Sequence, residues 1–215
     1  MTHVIASTRH EPRIKGRSSE VKIELEHYSV GAIPVRVTEA GKWEVLAHYF
    51  ERTPPYPILS EEPMVLERVY KLMTETPEAG EDRLTTLNRG LMEEFGVKGK
   101  PLSVTPCKIQ VVRPWYDFRK KKQIVARKTT DFFVVGSVEN CAGRQMGELE
   151  GQSELRWVEI NELIKYMEDQ GRRYPELPDV NEAAPLGWAL TELEDEGYFQ
   201  RIADTLSTGR KRKTK

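Results

Sequence analysis

Hydrophobic and polar positions alternate in several short stretches of the chain, and this alternation predicts β-strands. In Val21–Tyr28 apolar residues alternate with charged residues, as in a strand that buries one of its faces. Ser29–Val37 and Trp43–Phe50 are predicted strands as well, joined by a hairpin turn at Glu39–Lys42, which contains Glu-Ala-Gly. Later strands are predicted near Pro106–Val112, Thr130–Val138 and Leu155–Val158.

Apolar residues at helical spacing predict helices in four segments. Glu61–Met73 has this spacing and carries Pro63 near its start, where proline favours helix initiation. Asp82–Phe95 is an acidic helix, and Gly96 follows it as the expected left-handed cap. The other two helices are predicted at Asn161–Met167, with Asn161 as the cap, and at Leu186–Leu206.

The order of these elements indicates the fold class and the domain limits. Strands surround a central helix and helices end the chain, which is typical of a mixed α/β domain. Residues 1–20 are polar and without pattern, so we expect a flexible arm there. Residues 21–206 are expected to form one domain, and residues 207–215 a basic, disordered tail.

Composition narrows the classes of function. The 215 residues are 31% charged and 38% hydrophobic, enough for one sizeable core, and the net charge of −1 gives no overall attraction to nucleic acid or anionic membrane. No apolar run approaches the roughly 20 residues of a membrane span, and the N-terminus lacks the apolar segment of a secretory signal. We therefore expect a cytoplasmic protein without a membrane partner.

The acidic helix is the candidate for chemistry. Leu84, Leu87, Leu91 and Phe95 are predicted to lie on one stripe that faces the core. Glu93 and Glu94 fall outside that stripe, and Arg89 lies four residues before Glu93, where it can form a salt bridge. Carboxylate oxygens are the ligands that Mg²⁺ prefers. The alternative to a metal site is that Glu93 and Glu94 simply lie on the solvated surface of the helix, which is the usual explanation of an adjacent pair of glutamates.

The spacing of these residues resembles the signature of the Nudix hydrolase family, G-x5-E-x7-R-E-U-x-E-E-x-G-U, where U is aliphatic. When Arg89 is aligned on the arginine, Glu81 falls on the isolated glutamate. The remaining matches are Leu91, Glu93, Glu94, Gly96 and Val97. Two positions depart from the pattern: Glu75 stands in place of the opening glycine, and Gly90 in place of the first glutamate after the arginine.

This resemblance implies an α/β/α sandwich with a mixed sheet, to which the last helix would be an addition. It also implies a pyrophosphohydrolase that uses Mg²⁺ or Mn²⁺ to cleave the diphosphate of a nucleoside diphosphate derivative. By the same resemblance Glu93 and Glu94 are metal ligands, Glu81 is an auxiliary ligand, and Arg89 braces the carboxylates. The missing carboxylate at Gly90 would weaken catalysis unless another acid replaces it. The candidates are Glu148, Glu150 and Glu154, although plain loop surface is the favoured interpretation of each.

The segment Arg113–Lys128 mixes aromatic and basic residues and has two interpretations. The first is a substrate-binding loop in which aromatic rings stack on a base and cations hold phosphates. The residues assigned to it are Arg113, Trp115, Tyr116, Arg119 and Lys122. The second is a solvated hairpin tip with its aromatic residues partly tucked into the core. RNA binding is a less favoured third interpretation.

Two functions are consistent with these patterns. The favoured one is the metal-dependent hydrolase, with a nucleotide-type small molecule as substrate. The alternative, motivated by Gly90, is a catalytically inactive module of the same fold that binds a nucleotide or a protein. The last helix is expected to cover the core or to form a homodimer interface, and core cover is the favoured use.

Overall fold

A computed structural model describes residues 22–53, 65–103, 105–117, 120–141 and 153–195. Several parts of the sequence analysis lie outside these ranges: the N-terminal arm, the C-terminal tail, the first part of the predicted helix Glu61–Met73, the end of the predicted helix Leu186–Leu206, Arg119, and the loop that carries Glu148 and Glu150.

The described residues contain eight strands, which form one mixed sheet. Their bounds are β1 Leu25–Val37, β2 Trp43–Arg52, β3 Glu67–Lys71, β4 Met73–Glu75, β5 Val97–Pro101, β6 Cys107–Asp117, β7 Lys122–Asn140 and β8 Glu154–Glu159. The central order is β3-β2-β1-β7-β5, with β4 paired to β1, β6 to β7 and β8 to β2. The β1–β7 pair is parallel and the other pairs are antiparallel, so the predicted mixed sheet is confirmed.

The first strands follow the alternation of the sequence, with one difference. Val21–Tyr28 and Ser29–Val37 were predicted as separate strands, whereas β1 is continuous because its pairing with β7 runs without interruption from Leu25 to Pro34. The hairpin to β2 is confirmed: Val37 faces Trp43, and Gly41 adopts a φ of 74° in the turn.

The prediction of a helix over Glu61–Met73 is wrong within the described residues, because β3 and β4 occupy its second half. Val69 pairs with Phe50 of β2 and packs in a cluster with Leu66, while Tyr70 and Leu72 pack in the core on another side. An apolar run that is buried on both sides has no clear period of two, and its sequence cannot be told from that of a buried helix.

Three α-helices accompany the sheet in the described part of the chain. They are α1 Arg83–Gly90, α2 Ile160–Arg173 and α3 Ala183–Glu194. A π-helical turn, Leu91–Phe95, continues α1 and ends at Gly96 with a φ of 64°, as the predicted left-handed cap requires. The cap of α2 is Glu159, not Asn161, because the Glu159 side chain accepts the Asn161 backbone N–H. The described part of the predicted helix Leu186–Leu206 lies in α3, which ends at Glu194 because Asp195 is extended, and residues 196–206 lie outside the described ranges.

The sheet carries apolar side chains on both faces, and helices cover each face. Val30 and Ala32 of β1 pack with the α1 side, whereas Ile33 and Val35 pack with α2 and α3. Residues at successive positions of a strand point to opposite faces, so a central strand must be apolar throughout. The α/β/α sandwich is thus the described architecture, with α1 alone on one face. None of the helices described is both long and apolar enough to cross a membrane.

Candidate active site at the acidic helix

The buried stripe of the acidic helix begins one turn later than the sequence predicts. Leu87, Leu91 and Phe95 are buried, but Leu84 is 50% exposed. Thr86 takes the buried place in the first turn, where its hydroxyl donates to Glu81 Oε2 and to the Asp82 carbonyl, each at 3.0 Å. The helix therefore begins with polar contacts that hold the preceding loop, rather than with an apolar contact.

Asp82 caps the helix and so fixes where the loop ends. Its Oδ1 accepts the backbone N–H groups of Leu84 and Thr85 at 2.9 and 2.8 Å. An aspartate at this position satisfies N–H groups that have no partner within the helix, and substitution of such a cap by alanine typically costs about 1 kcal/mol. Glu81, one residue earlier, is thereby held beside the first turn of α1.

Arg89 is the centre of the site, because it binds acidic residues from three different elements. Its Nε and Nη2 donate to the two carboxylate oxygens of Glu81, both at 3.0 Å. Its Nη1 lies 3.2 Å from Glu93 Oε2 and 3.3 Å from Glu75 Oε1. The structure thus brings together Glu81 and Glu93, as the sequence predicted, and adds Glu75 from β4, which it did not.

The pairing with Arg89 has a clear electrostatic consequence for Glu81. It lowers the pKa of the Glu81 carboxyl to about 2, with a further contribution from the Glu78 backbone N–H that the carboxylate accepts. The same contact raises the pKa of Arg89. Both groups are therefore charged throughout the neutral range, and the loop and helix are joined by a bidentate ion pair.

Glu94 points to a different partner from Glu93. Its Oε2 lies 3.1 Å from His48 Nε2, and His48 Nδ1 lies 2.8 Å from Ser153 Oγ. The His48 side chain is 4% exposed, and its ring centroid is 4.6 Å from that of Phe95. His48 is therefore packed against the acidic helix from β2. Its contact with Glu94 spans two distant parts of the chain, so no pattern near either residue indicated it.

Gly90 is buried between the helix and β4. A Cβ atom placed on Gly90 would lie 2.8 Å from Met73 Sδ and 3.0 Å from Glu75 Cβ. These distances are shorter than ordinary van der Waals contacts of about 3.5–4.0 Å. The position therefore accepts glycine, and a larger side chain there would displace Met73 or Glu75.

Glu93 and Glu94 offer carboxylate oxygens, the type of ligand that a hard divalent cation takes. Glu93 is 40% exposed and Glu94 14%, so both can be reached from solvent at the end of the helix. Within the described ranges, no group of three or more His, Cys, Asp or Glu side chains is arranged to hold a metal ion. Mg²⁺ commonly binds through one or two carboxylates and takes its other ligands from water and phosphate oxygens, which this pair can satisfy.

Glu154, predicted to assist catalysis, faces away from α1. Leu155 and Trp157 of β8 pack with the cluster that contains α1, so Glu154 and Arg156 at the alternate positions face the other side of the sheet. The Glu154 carboxylate accepts the Arg156 Nε–H at 2.9 Å. The structure thus pairs Glu154 with Arg156 of the same strand. Glu148 and Glu150 lie outside the described residues.

The segment Arg113–Lys128 forms most of the β6–β7 hairpin rather than a loop over the acidic helix. Arg113 is buried in an ion pair with Asp179 and stacks 4.5 Å from the Trp115 ring centroid. Because the Arg113 side chain is only 3% exposed, it is not available to hold a phosphate. Tyr116 is buried as well, and Lys122 binds Glu24 at 2.7 Å. These positions fit the interpretation of the segment as a hairpin with its aromatic residues partly tucked into the core. Arg119 lies outside the described ranges.

A small cavity lies on the opposite face from the acidic helix. Its volume is about 30 Å³, room for about one water molecule. Its walls come from β6, β7 and the segment that leads into α3, and include Lys128, Asp179 and Glu182. It is therefore separate from the carboxylates around Arg89.

No protein-family model matches the sequence, and a search of curated proteins found no match. Solved structures with a similar fold include Nudix proteins. The ORF135 protein of E. coli has 14% identity over 80% of this chain and 92% of its own, with a TM-score of 0.45. An Ap4A hydrolase from C. elegans has 15% identity over 76% and 98%, with a TM-score of 0.39. The NUDIX domain of Shewanella oneidensis NrtR, complexed with ADP-ribose, has 15% identity over 71% and 90%, with a TM-score of 0.38. At this level the similarity concerns the fold, and activity has to be inferred from this chain's own residues.

Proposed function

We propose that this chain is a Nudix-type hydrolase that cleaves the diphosphate of a nucleoside diphosphate derivative with the help of Mg²⁺ or Mn²⁺. The observation that supports the proposal is that Arg89 forms ion pairs with three carboxylates: Glu75 of β4, Glu81 of the loop before α1, and Glu93 of the acidic helix. Such an arrangement concentrates negative charge at one end of α1, where Glu94 follows Glu93. A solvated helix surface would not need the bidentate pair or the capped loop.

Each residue of the site has its own role in this proposal. Glu93 and Glu94 would hold the cation, which when bound lowers the pKa of a coordinated water and stabilises charge on phosphate oxygens. Arg89 fixes Glu81 and Glu93 before any ligand arrives. His48 fixes the rotamer of Glu94 from β2. Carboxylates held in this way lose little freedom on binding, which favours catalysis by pre-organisation.

The test is hydrolysis of a panel of nucleoside diphosphate derivatives that includes ADP-ribose, with Mg²⁺, with Mn²⁺ and with EDTA. We expect metal-dependent turnover by the wild-type chain. Replacing Glu93→Gln and Glu94→Gln together should lower kcat/KM by about 10²-fold or more, because two metal ligands are neutralised at nearly constant volume. Glu168→Gln, an exposed residue of α2, is the matched control and should leave kcat/KM unchanged.

Two results would contradict the proposal. One is the absence of turnover on every compound with either metal. The other is turnover that the double variant retains, since the carboxylates would then have no part in it.

A second candidate function is a binding module without hydrolysis, and one observation favours it. Gly90 leaves the helix without the carboxylate that the signature places there, and its surroundings leave no room for one. Calorimetry with the same compounds in the presence of Mn²⁺ separates the candidates. Binding of a compound that is never hydrolysed supports the module, and turnover of the bound compound supports the enzyme.

A further inference from the structure

A buried aspartate of the sheet holds an exposed arginine at the beginning of α1. The Asp131 side chain is 2% exposed and lies on the α1 face of β7. Its Oδ2 accepts the Arg83 Nη1–H at 3.1 Å and the Tyr28 hydroxyl at 2.9 Å. The Arg83 side chain is 56% exposed. Because a carboxylate that is removed from water needs such partners, Arg83 is held in place from the interior of the protein.

The contact with Asp131 uses only one nitrogen of the Arg83 guanidinium. None of the described residues accepts a hydrogen bond from its Nε or Nη2. Arg89 binds both carboxylate oxygens of Glu81 through the same two nitrogens, each at 3.0 Å. The corresponding edge of Arg83 can therefore bind an oxyanion at two points, and its exposure makes it accessible from solvent.

Lys108 brings a second positive charge to the same place. It is exposed and lies directly across from Asp131 in the β6–β7 pair, so the two side chains share one face of the sheet. In the part of the chain that the structure describes, Lys108 forms no ion pair. Asp82, which precedes Arg83, is directed at the backbone N–H groups of the first helical turn. Two cations thus flank one buried carboxylate and face solvent.

Other cations that could meet a phosphate are already engaged. Arg113 is buried in its ion pair on the opposite face, and Lys122 and Arg127 are paired with glutamates at and just before the start of β1. Arg89 is bound to carboxylates. Among the residues of the hairpin and the acidic helix that are described, the free guanidinium edge of Arg83 is the feature suited to a phosphate.

Arg83 and Glu93 lie near opposite ends of the acidic helix. They are ten residues apart, and a rise of 1.5 Å per residue places their backbones about 15 Å from each other. We propose that Arg83 and Lys108 bind a second phosphate group of the substrate, remote from the diphosphate at Glu93 and Glu94. The inference rests on the proposed function, because it assigns this phosphate to the same substrate. The competing explanation is that Arg83 only neutralises Asp131 and attaches α1 to the sheet.

Titration of the metal-free chain with inorganic phosphate tests this site without any hydrolysis. The NMR signals of the Leu84 and Thr85 backbone amides report on this end of the helix. The variants are Arg83→Gln, Lys108→Gln, and Arg83→Gln combined with Asp131→Asn. The combined variant removes the buried charge that Arg83→Gln alone would leave without its ion pair, so a loss of phosphate binding there cannot be attributed to that charge.

The control is Arg172→Gln, because Arg172 is an exposed arginine of α2 that meets Asp169 only at 3.5 Å. We expect phosphate to shift the amide signals of α1 in the wild-type chain and in this control alike. Half-saturation should need about tenfold more phosphate or more in Arg83→Gln, since hydrogen bonds between charged groups are lost. Lys108→Gln should need about two- to fivefold more, as is usual for an exposed charge.

The combined variant should unfold at a higher temperature than Arg83→Gln and still bind phosphate about tenfold more weakly than wild type. In hydrolysis the same contact should affect KM rather than kcat, because it holds a part of the substrate that does not react. For the compound that the wild-type chain turns over best, Arg83→Gln should raise KM about tenfold and leave kcat within about twofold.

Each contrary outcome overturns one claim. If phosphate shifts only signals elsewhere, or binds Arg83→Gln and wild type equally, the inference fails and Arg83 keeps only its structural role. An unchanged KM in Arg83→Gln overturns the assignment of the phosphate to the substrate. Hydrolysis by the wild-type chain would in both cases still support the proposed function. If phosphate binds at Arg83 but no compound is hydrolysed, the site stands and the proposed function fails.

Discussion

At the scale of single residues, the site depends on one arginine whose geometry a lysine cannot reproduce. Arg89 uses three nitrogens to bind Glu81, Glu93, Glu75 and the Thr76 carbonyl. The planar guanidinium matches a carboxylate at two points, whereas an ammonium is a single point of charge. The sequence predicted the contact with Glu93 because four residues separate the pair on a helix. The contact with Glu75 depends on where β4 packs, which the local sequence does not specify.

We expect Arg89→Lys to lower the free energy of unfolding by about 1–3 kcal/mol, since hydrogen bonds to charged groups are lost and Glu81 keeps its charge. Urea unfolding at neutral pH measures the change. Arg172→Lys on α2 is the control, because Arg172 is exposed and meets Asp169 only at 3.5 Å; we expect less than about 0.5 kcal/mol there. Equal effects of the two substitutions would show that Arg89 does not organise the site.

At the scale of elements, the sequence predicts the helices and strands whose apolar residues recur with a clear period. It misses strands without a clear period and strands that are held mainly by pairing with a neighbouring strand. The hairpin of β1 and β2 and the end of the acidic helix follow from alternation and from the glycine cap. The strands β3 and β4 were predicted as helix because their buried apolar residues, Val69, Tyr70 and Met73, do not follow a period of two. The short strand β5 was missed because Val97–Pro101 has little apolar pattern and is held by its pairing with β7.

The end of the acidic helix is a sharp test at this scale. Gly96 has a φ of 64°, which favours glycine, so Gly96→Ala should cost about 1 kcal/mol of unfolding free energy. Gly187 lies inside α3 and a Cβ there would meet nothing within 4 Å, so Gly187→Ala should stabilise by about 0.4–1 kcal/mol. Chemical denaturation of both variants gives the sign of each change in unfolding free energy. A Gly96→Ala variant that is more stable than wild type would refute the assigned cap.

At the scale of the whole molecule, the two faces of the sheet have separate tasks. The α1 face carries the carboxylates and Arg89, while α2 and α3 cover the other face around a core of strand and helix residues. The Arg113–Asp179 pair and the small cavity belong to that second face. The resemblance implied the α/β/α layers, but the sequence could not show that Arg113 of the basic hairpin is buried against Asp179.

The second face also contains a group that should make stability depend on pH. Burial raises the pKa of the Glu182 carboxyl to about 7, although it accepts the Leu72 backbone N–H at 2.7 Å. The folded chain then holds a proton that the unfolded chain releases above the ordinary pKa of 4.5. The contribution of Glu182 to stability is therefore complete below that value and is lost as the pH rises through about 7.

Glu182→Gln should remove this dependence, because an amide oxygen can still accept the Leu72 N–H and carries no charge. Thermal unfolding between about pH 5 and about pH 8 is expected to show a smaller loss of stability in the variant than in the wild-type chain. Glu194→Gln, an exposed change at the end of α3, should keep the wild-type profile. Parallel profiles for wild type and Glu182→Gln would show that the carboxyl is ionised in the folded state.

The central claim is that the carboxylates at the end of α1 bind a divalent cation, and anomalous diffraction tests it most directly. Crystals soaked with Mn²⁺ and ADP-ribose, measured on both sides of the manganese absorption edge, would locate the ion. We predict an anomalous peak in coordination contact with Glu93 and Glu94, absent from crystals of the variant with both residues changed to glutamine. Well-diffracting soaked crystals with no peak at these residues, or with manganese bound only elsewhere, would contradict the account.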